Sequence, residues 1–220
     1  MMKKNGFTLA EVLITLAIIG VVATMTLPAL MTNTAEQQAK SAMKKGINTF
    51  TEAAQMSQAV DGYDYASTNT TGKGENDQSI YGLLSRRAAV DWGKTNATLP
   101  THPNINANSN YVMYFRDGSA ISFPNSASGT STTAAAMQND NLPYGIPALY
   151  DINGVKGPNM ISNCSGNAAG LQASAKDSTA GDHNKECTKV KRVIKDQFGI
   201  RLRGGFAVPN GAAARWTFEN

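Results

Sequence analysis

The chain has 220 residues, a formal net charge of +4, two cysteines and two histidines. This length allows one membrane helix and one domain of modest size. The small basic excess argues against nucleic acid as a partner, and loss of Lys3 and Lys4 would lower it from four to two. The cysteines and histidines lack the spacing of a zinc site, and no nucleotide-binding or nucleophile motif is present. Composition and motifs therefore indicate a protein that is not an enzyme and needs no cofactor.

One carboxylate lies inside a long apolar run near the start of the chain. Residues 6–31 read GFTLAEVLITLAIIGVVATMTLPALM, and no charged residue occurs from Val12 to Ala35. About 20 apolar residues suffice for a helix to cross the hydrocarbon core of a bilayer. An ionised group at that depth costs at least ~2.5 kcal/mol and usually has a function and a partner. Glu11 is therefore predicted to be functional.

The six residues before the apolar run form a short basic leader, MMKKNG. A secretory signal peptide is cut after its apolar region. Here the favourable junction lies before it, between Gly6 and Phe7, so the apolar helix would stay on the mature protein. Cleavage there would create an ammonium group on Phe7, one helical turn from Glu11. In an assembly of such helices, Glu11 of one subunit could pair with the Phe7 amine of the next.

The sequence GFTLAEVLITLAIIG resembles the class III signal segment of type IV pilins and of type II secretion pseudopilins. The resemblance implies that a prepilin peptidase cuts between Gly6 and Phe7 and then methylates the amine of Phe7. It also implies that Glu11 sets the registry of subunits during assembly. Gly20 and Pro28 lie where many members of the family have helix breakers, and both residues weaken a helix interior.

The function implied by the resemblance is that of a structural subunit of a type IV pilus or a type II secretion pseudopilus. Its partners would be copies of itself or other pilins, the peptidase and an inner-membrane assembly platform. The precursor would cross the bacterial inner membrane once with its lysines in the cytoplasm, and the assembled filament would be periplasmic or extracellular. A minor pilin serving adhesion or DNA uptake is the alternative. A simple membrane anchor would need neither Glu11 nor the Gly6–Phe7 junction.

Apolar residues continue beyond the run with helical spacing, at Ala35, Ala39, Met43, Ile47, Phe50 and Ala54. This pattern predicts one long helix from about Phe7 to about Val60, whose second half packs on a globular domain. Asp61 and Gly62 are suitable residues to end it. The predicted domains are the leader at 1–6, the transmembrane or filament-core helix at 7–31, and the amphipathic helix with a globular domain at 32–220.

The rest of the chain predicts short elements joined by polar loops. The strongest signal is a β-hairpin turning on Asp117 and Gly118. The fold class is therefore α+β and pilin-like, a long helix packed on a small antiparallel sheet. The other expectations are a helix within 79–92, a helix in CTKVKRVIKDQF at 187–198, an NG turn at 153–154, two or three strands near the C-terminus, and loops at 66–78, 94–109 and 126–141.

Cys164 and Cys187 bracket a polar segment of the region predicted to be exported. An even cysteine count in an oxidising compartment favours a disulfide, and type IV pilins often carry one near the C-terminus. Some pseudopilins bind calcium in a C-terminal loop, which makes Asp151 and Asn153 weak calcium candidates. Calcium needs six to eight oxygen ligands, so a turn function for these residues is the alternative.

Two C-terminal segments resemble patterns found in many pseudopilin-like domains. They are YDINGVKGPN and KDQFGIRLRGGFAVPNG. In the family the two patterns normally lie a few residues apart, whereas here the segment bounded by the cysteines separates them.

Overall fold

The computed structural model describes residues 6–69, 72, 74, 77–95, 111–123, 145–162, 164 and 192–219, apart from the side chains at positions 28, 29, 32, 94 and 95. The chain forms two compact units, Met1–Gln38 and Ala39–Asn220. The helices are α1 (Leu9–Val60), α2 (Ile80–Arg87), α3 (Trp92–Thr95) and α4 (Ala212–Glu219). The strands are β1 (Tyr111–Tyr114), β2 (Ala120–Phe123), β3 (Ile146–Asp151), β4 (Gln197–Arg203) and β5 (Phe206–Pro209).

The five strands form one sheet in the order β1-β2-β3-β4-β5, and every neighbouring pair is antiparallel. Each strand therefore pairs with the next strand along the chain. This arrangement confirms the predicted α+β class and supplies the strand order, which the sequence pattern does not specify.

The first unit contains the apolar part of α1. Its segment Leu9–Leu27 has a mean hydropathy of 2.2, so it is long and apolar enough to cross a membrane. The hydroxyls of Thr15, Thr24 and Thr26 donate to carbonyls three or four residues earlier in the helix. Because these polar groups are satisfied within the helix, they are compatible with lipid around it.

Helix α1 runs without a break through Gly20 and Pro28. This continuity agrees with the single long helix predicted from about Phe7 to about Val60. The backbone keeps its helical path there because neither a glycine nor one missing N–H group forces an end to a long helix. Unwinding between the two positions within an assembly stays a prediction.

The second unit begins with the amphipathic part of α1. The predicted stripe is buried from Ala39 onward and includes Met43, Ile47, Phe50 and Ala54, whereas Ala35 is exposed. The helix ends as predicted at Val60, since the N–H groups of Asp61 and Gly62 both donate to the carbonyl of Ser57. Gly62 has a φ of 77°, a left-handed conformation that glycine adopts without strain.

Tyr150 of β3 packs directly against α1. A Cβ atom at Gly46 would lie only 2.5 Å from the Tyr150 ring, so the absence of a side chain there allows the contact. The Tyr150 ring meets the Phe50 ring edge-on at a centroid distance of 5.3 Å, and its hydroxyl donates to the carbonyl of Ala42 at 3.4 Å. Nearby, Lys45 forms a 2.7 Å ion pair with Asp117 of the β1–β2 turn.

The buried tyrosines predict that the second unit loses stability in alkali. Burial raises the pKa of Tyr150 to about 12. A tyrosine whose pKa is higher in the folded state than in the unfolded state stabilises the fold while its hydroxyl is protonated. For Tyr150 this stabilisation is complete below pH 10, the pKa in the unfolded chain, and it is lost as the pH rises through about 12, the pKa in the folded chain. For Tyr150 the loss should reach about 2 to 3 kcal/mol. Chemical denaturation followed by near-UV circular dichroism between pH 9 and pH 12 would measure it.

The variant Tyr150→Phe provides the comparison for that titration, because it keeps the ring and removes the ionising hydroxyl. Its stability should fall less steeply above pH 10 than that of the parent. Burial also raises the pKa of Tyr65, so some alkaline dependence should remain. Identical slopes for parent and variant would contradict the assignment to Tyr150.

The helix and hairpin predictions near the middle of the chain are confirmed. Helix α2 occupies part of 79–92, and the Ser79 side chain caps it by accepting from the N–H of Gly82 at 3.0 Å. Arg87 at its end pairs with Asp61 at 2.7 Å. Val90 is buried, but it lies outside the helix in a bridge to Phe115. Strands β1 and β2 form the predicted hairpin.

Near the C-terminus one prediction is wrong and another holds in part. Residues 192–196 are not helical, and Gln197 already belongs to β4. The strand continues from there with alternation, because Phe198, Ile200 and Leu202 all enter the core. The two or three expected strands are β4 and β5, but the final residues form helix α4, which the sequence pattern did not predict. Strand pairing ends at Pro209, and the following run of alanines favours a helix.

Several expectations concern residues outside the described part of the chain. They are the loops at 94–109 and 126–141, apart from positions 94 and 95, and the start of the predicted helix at 187–191. The described part of 66–78 contains turns and bends and neither helix nor strand. Position 153 begins a turn-rich segment after β3, where Gly154 has a φ of 65°.

Candidate processing and assembly site

The first turn of α1 is held by reciprocal hydrogen bonds between Thr8 and Glu11. The Thr8 N–H and the Thr8 hydroxyl both donate to Oε2 of Glu11 at 2.8 Å. In return, the Glu11 N–H donates to Oγ1 of Thr8 at 3.3 Å. This is a capping box, in which the residue before the helix and the third helical residue satisfy each other's free N–H groups. Glu11 therefore has an intrachain structural role.

The capping box leaves Glu11 able to accept further hydrogen bonds. Both bonds that its side chain accepts use Oε2, so within the described part of the chain Oε1 has no donor. The carboxylate also lies beside the positive end of the helix dipole. A cation from another chain could therefore bind Glu11 while the helix start is preserved.

Gly6 and Phe7 lie before the helix in irregular, exposed backbone. Phe7 is 90% exposed, and in the described part of the chain no atom beyond the adjacent residues lies within 4 Å of a Cβ built on Gly6. Because α1 begins at Leu9, the bond between Gly6 and Phe7 is not part of a helical turn. A protease can bind such a bond in an extended conformation.

Thr8 is the residue of this site that the sequence analysis missed. The signal was present, because a threonine followed three residues later by a glutamate is the pattern of a capping box. The Glu11 carboxylate was interpreted only as a contact between subunits, so its role at the helix start was overlooked.

A second polar arrangement joins the two C-terminal segments singled out in the sequence. Oδ2 and Oδ1 of Asp196 accept the N–H groups of Asn159 and Met160 at 2.7 and 2.8 Å. The Ser162 hydroxyl donates to the Lys195 carbonyl and accepts from the Lys195 N–H. We call this group the Asp196 clamp. It brings together the two patterns that lie far apart in sequence.

The weak calcium candidates lie beside this clamp, and protein donors occupy the Asp151 carboxylate. Its Oδ1 accepts from the Asn153 N–H at 3.0 Å, and its Oδ2 accepts from Nε2 of Gln197 at 2.9 Å. Among the described residues, no three His, Cys, Asp or Glu side chains converge on a common point. The geometry supports the turn function for Asp151.

Cys164 lies two residues beyond the clamp, whereas Cys187 is outside the described residues. No free cysteine occurs in the described part of the chain. The predicted pairing of the two cysteines stays a prediction.

Comparison with known families gives one match. Residues 1–27 match the prokaryotic N-terminal methylation motif. Comparisons with curated proteins and with solved structures gave no match. The motif covers the leader, the Gly6–Phe7 junction, the capping box and the candidate membrane span. The N-terminal 27 residues are therefore similar to segments that are processed by N-terminal methylation, and in this chain that segment is followed by an α+β domain.

Proposed function

We propose that this protein is a structural subunit of a type IV pilus or a type II secretion pseudopilus. A prepilin peptidase removes residues 1–6 and methylates Phe7, and the mature subunit then polymerises through the apolar part of α1. Before assembly, this segment anchors the subunit in the inner membrane. In the filament, Glu11 of one subunit pairs with the Phe7 amine of a neighbour and sets the registry.

One observation supports this proposal. A helix that is apolar on all sides begins with a capping box in which the Glu11 carboxylate is the acceptor. Large apolar side chains such as Leu13, Ile19 and Met25 are more than half exposed. Water does not tolerate such a surface, so lipid or other subunits must cover it. Glu11 contributes an acceptor to the capping box and a charge to the same end of the helix. A simple anchor requires no such charge.

Mass spectrometry of the mature protein tests the processing step. We expect an N-terminus at methylated Phe7 in cells that contain the peptidase. The variant Gly6→Ala should retain the leader almost completely. Since a Cβ at Gly6 has no neighbour within 4 Å among the described residues, a block in the variant would arise at the peptidase and not from misfolding.

An intact Met1, or a cut beyond Met31, would contradict the processing pathway.

The same spectra test the proposed disulfide between Cys164 and Cys187, whose closed loop should contribute about 3 kcal/mol to the free energy of unfolding. Two thiols that alkylate without reductant would contradict the disulfide and leave the processing result unaffected.

Electron microscopy of cells that lack this protein separates the structural function from the alternative. Loss of the filaments would support a structural subunit. Filaments that persist while adhesion or DNA uptake fails would support the minor pilin.

A further inference from the structure

A buried arginine of the second unit is hydrogen-bonded to neutral oxygen atoms. Arg201 of β4 is 6% exposed. Its Nε donates to Oδ1 of Asn210 at 3.2 Å, and its Nη1 donates to the carbonyl of Gly145 at 3.1 Å. Within the described residues, no carboxylate forms an ion pair with its guanidinium. A buried charge is costly without an opposite charge beside it, so this site favours the arrival of a negative group.

The asparagine that contacts Arg201 is followed by a glycine. In an Asn–Gly pair, the backbone nitrogen of the glycine can attack the asparagine Cγ, because no glycine side chain blocks the approach. Gly211 has a φ of 96°, and its N–H donates to no acceptor in the part of the chain that the structure describes. Asn210 is partly exposed, so water reaches it. The pair therefore meets the requirements for loss of the side-chain amide.

We propose that Asn210 is a deamidation site, and that Arg201 both promotes the reaction and binds its product. The Gly211 nitrogen loses its proton to water and forms a bond with Cγ of Asn210, and the side-chain nitrogen leaves as ammonia. Water then adds to Cγ of the cyclic imide and breaks the new C–N bond, which leaves an aspartate. The net reaction consumes water, releases ammonia and involves no oxidation or reduction.

Arg201 is positioned to stabilise the charge that develops in this reaction. Its Nε donates to the oxygen bonded to Cγ, and that oxygen becomes negative when nitrogen or water adds to Cγ. A hydrogen bond from a cation strengthens as the negative charge grows, so it lowers the barrier. The product carboxylate then forms an ion pair with the guanidinium. The conversion stabilises the second unit after synthesis, and it depends neither on membrane anchoring nor on filament assembly.

A second Asn–Gly pair in the chain provides an internal control. Asn153 and Asn210 are both partly exposed, and the glycines that follow them are both buried. Those glycines, Gly154 and Gly211, have φ values of 65° and 96°. Oδ1 of Asn153 has no hydrogen-bond donor in the described part of the chain. The contact with a cation therefore distinguishes the site at 210 from the site at 153.

Peptide mapping by mass spectrometry tests the inference on the full-length chain, aged in detergent at neutral pH. We expect Asn210 to deamidate about tenfold faster than Asn153 in the folded protein, because the hydrogen bond from Arg201 is charge-assisted. In denaturant the two rates should become similar. Equal rates in the folded protein would overturn the proposal. A difference that persists in denaturant would also overturn it, since local sequence and not Arg201 would then be the cause.

The variant Arg201→Gln removes the cation and should slow Asn210 to about the rate of Asn153. Arg116→Gln is the matched control, because Arg116 is exposed after β1, and it should leave both rates unchanged. Circular dichroism verifies that each variant is folded. A folded Arg201→Gln protein in which Asn210 reacts as fast as in the parent would contradict the function of Arg201. If Arg201→Gln does not fold, the comparison of the two sites in the parent still decides.

The variant Asn210→Asp reproduces the product and tests its binding. Its midpoint of chemical denaturation should lie above that of the freshly purified parent, and the increase should disappear in the Arg201→Gln background. Chromatography of the aged peptides separates aspartate from isoaspartate, and we expect aspartate at position 210. An Asn210→Asp protein no more stable than the parent, or isoaspartate as the only product, would refute the binding of the product by Arg201.

Discussion

Filaments are expected to disappear when Glu11 is replaced by Gln, although the helix and the domain remain folded. Glutamine can serve as the third residue of a capping box, so its amide oxygen can still accept the Thr8 N–H. It cannot form an ion pair with the Phe7 amine of a neighbouring subunit. The substitution therefore removes the charge and preserves the helix start. Filament yield by electron microscopy and helix content by far-UV circular dichroism are the two measurements.

Thr8→Val is the matched variant, because it removes the capping hydroxyl and preserves the Glu11 charge. The loss of an N-cap side chain costs about 1 kcal/mol at a helix end. We expect this variant to fray locally but to assemble. If Glu11→Gln assembled normally while Thr8→Val failed, the capping box would be the essential function of Glu11, and the registry mechanism would have to be abandoned.

The sequence predicts those parts of the molecule whose signals are local. Glu11 within an apolar run, the stripe from Ala39 to Ala54 and the Asp117–Gly118 turn each contain their information within a few helical or strand positions. Each of these segments forms the predicted structure because the residues next to it in sequence determine whether it is helix, strand or turn. The helix start, the buried face of α1 and the hairpin were accordingly all predictable.

The parts that could not be predicted depend on partners far away in sequence. Residues 192–196 have an apolar spacing that fits a helix, but β4 begins at Gln197 and pairs with β3 more than 40 positions earlier. The Asp196 clamp likewise joins positions 159–162 and 195–196 across the segment between the cysteines. Local periodicity contains no information about such contacts. Helix α4 was missed for a different reason, because its aromatic residues Trp216 and Phe218 also fit a strand.

Asp196→Ala is expected to destabilise the second unit more than any surface substitution. Asp196 is 4% exposed, and its two oxygens each accept one backbone N–H. Removing the carboxylate leaves both N–H groups without an acceptor, and each bond to a charged group contributes about 1.5 to 3 kcal/mol. We expect a loss of about 3 kcal/mol or more in the free energy of unfolding, measured on the full chain in detergent by chemical denaturation.

Two further variants decide whether the clamp causes that loss. Asp196→Asn retains one acceptor oxygen, so it should lose about half as much stability as Asp196→Ala. Glu52→Ala alters an exposed carboxylate of α1 and should change the free energy of unfolding by less than about 0.5 kcal/mol. An Asp196→Ala protein as stable as the Glu52→Ala protein would mean that the pairing of β3 with β4 suffices to hold the two C-terminal segments together.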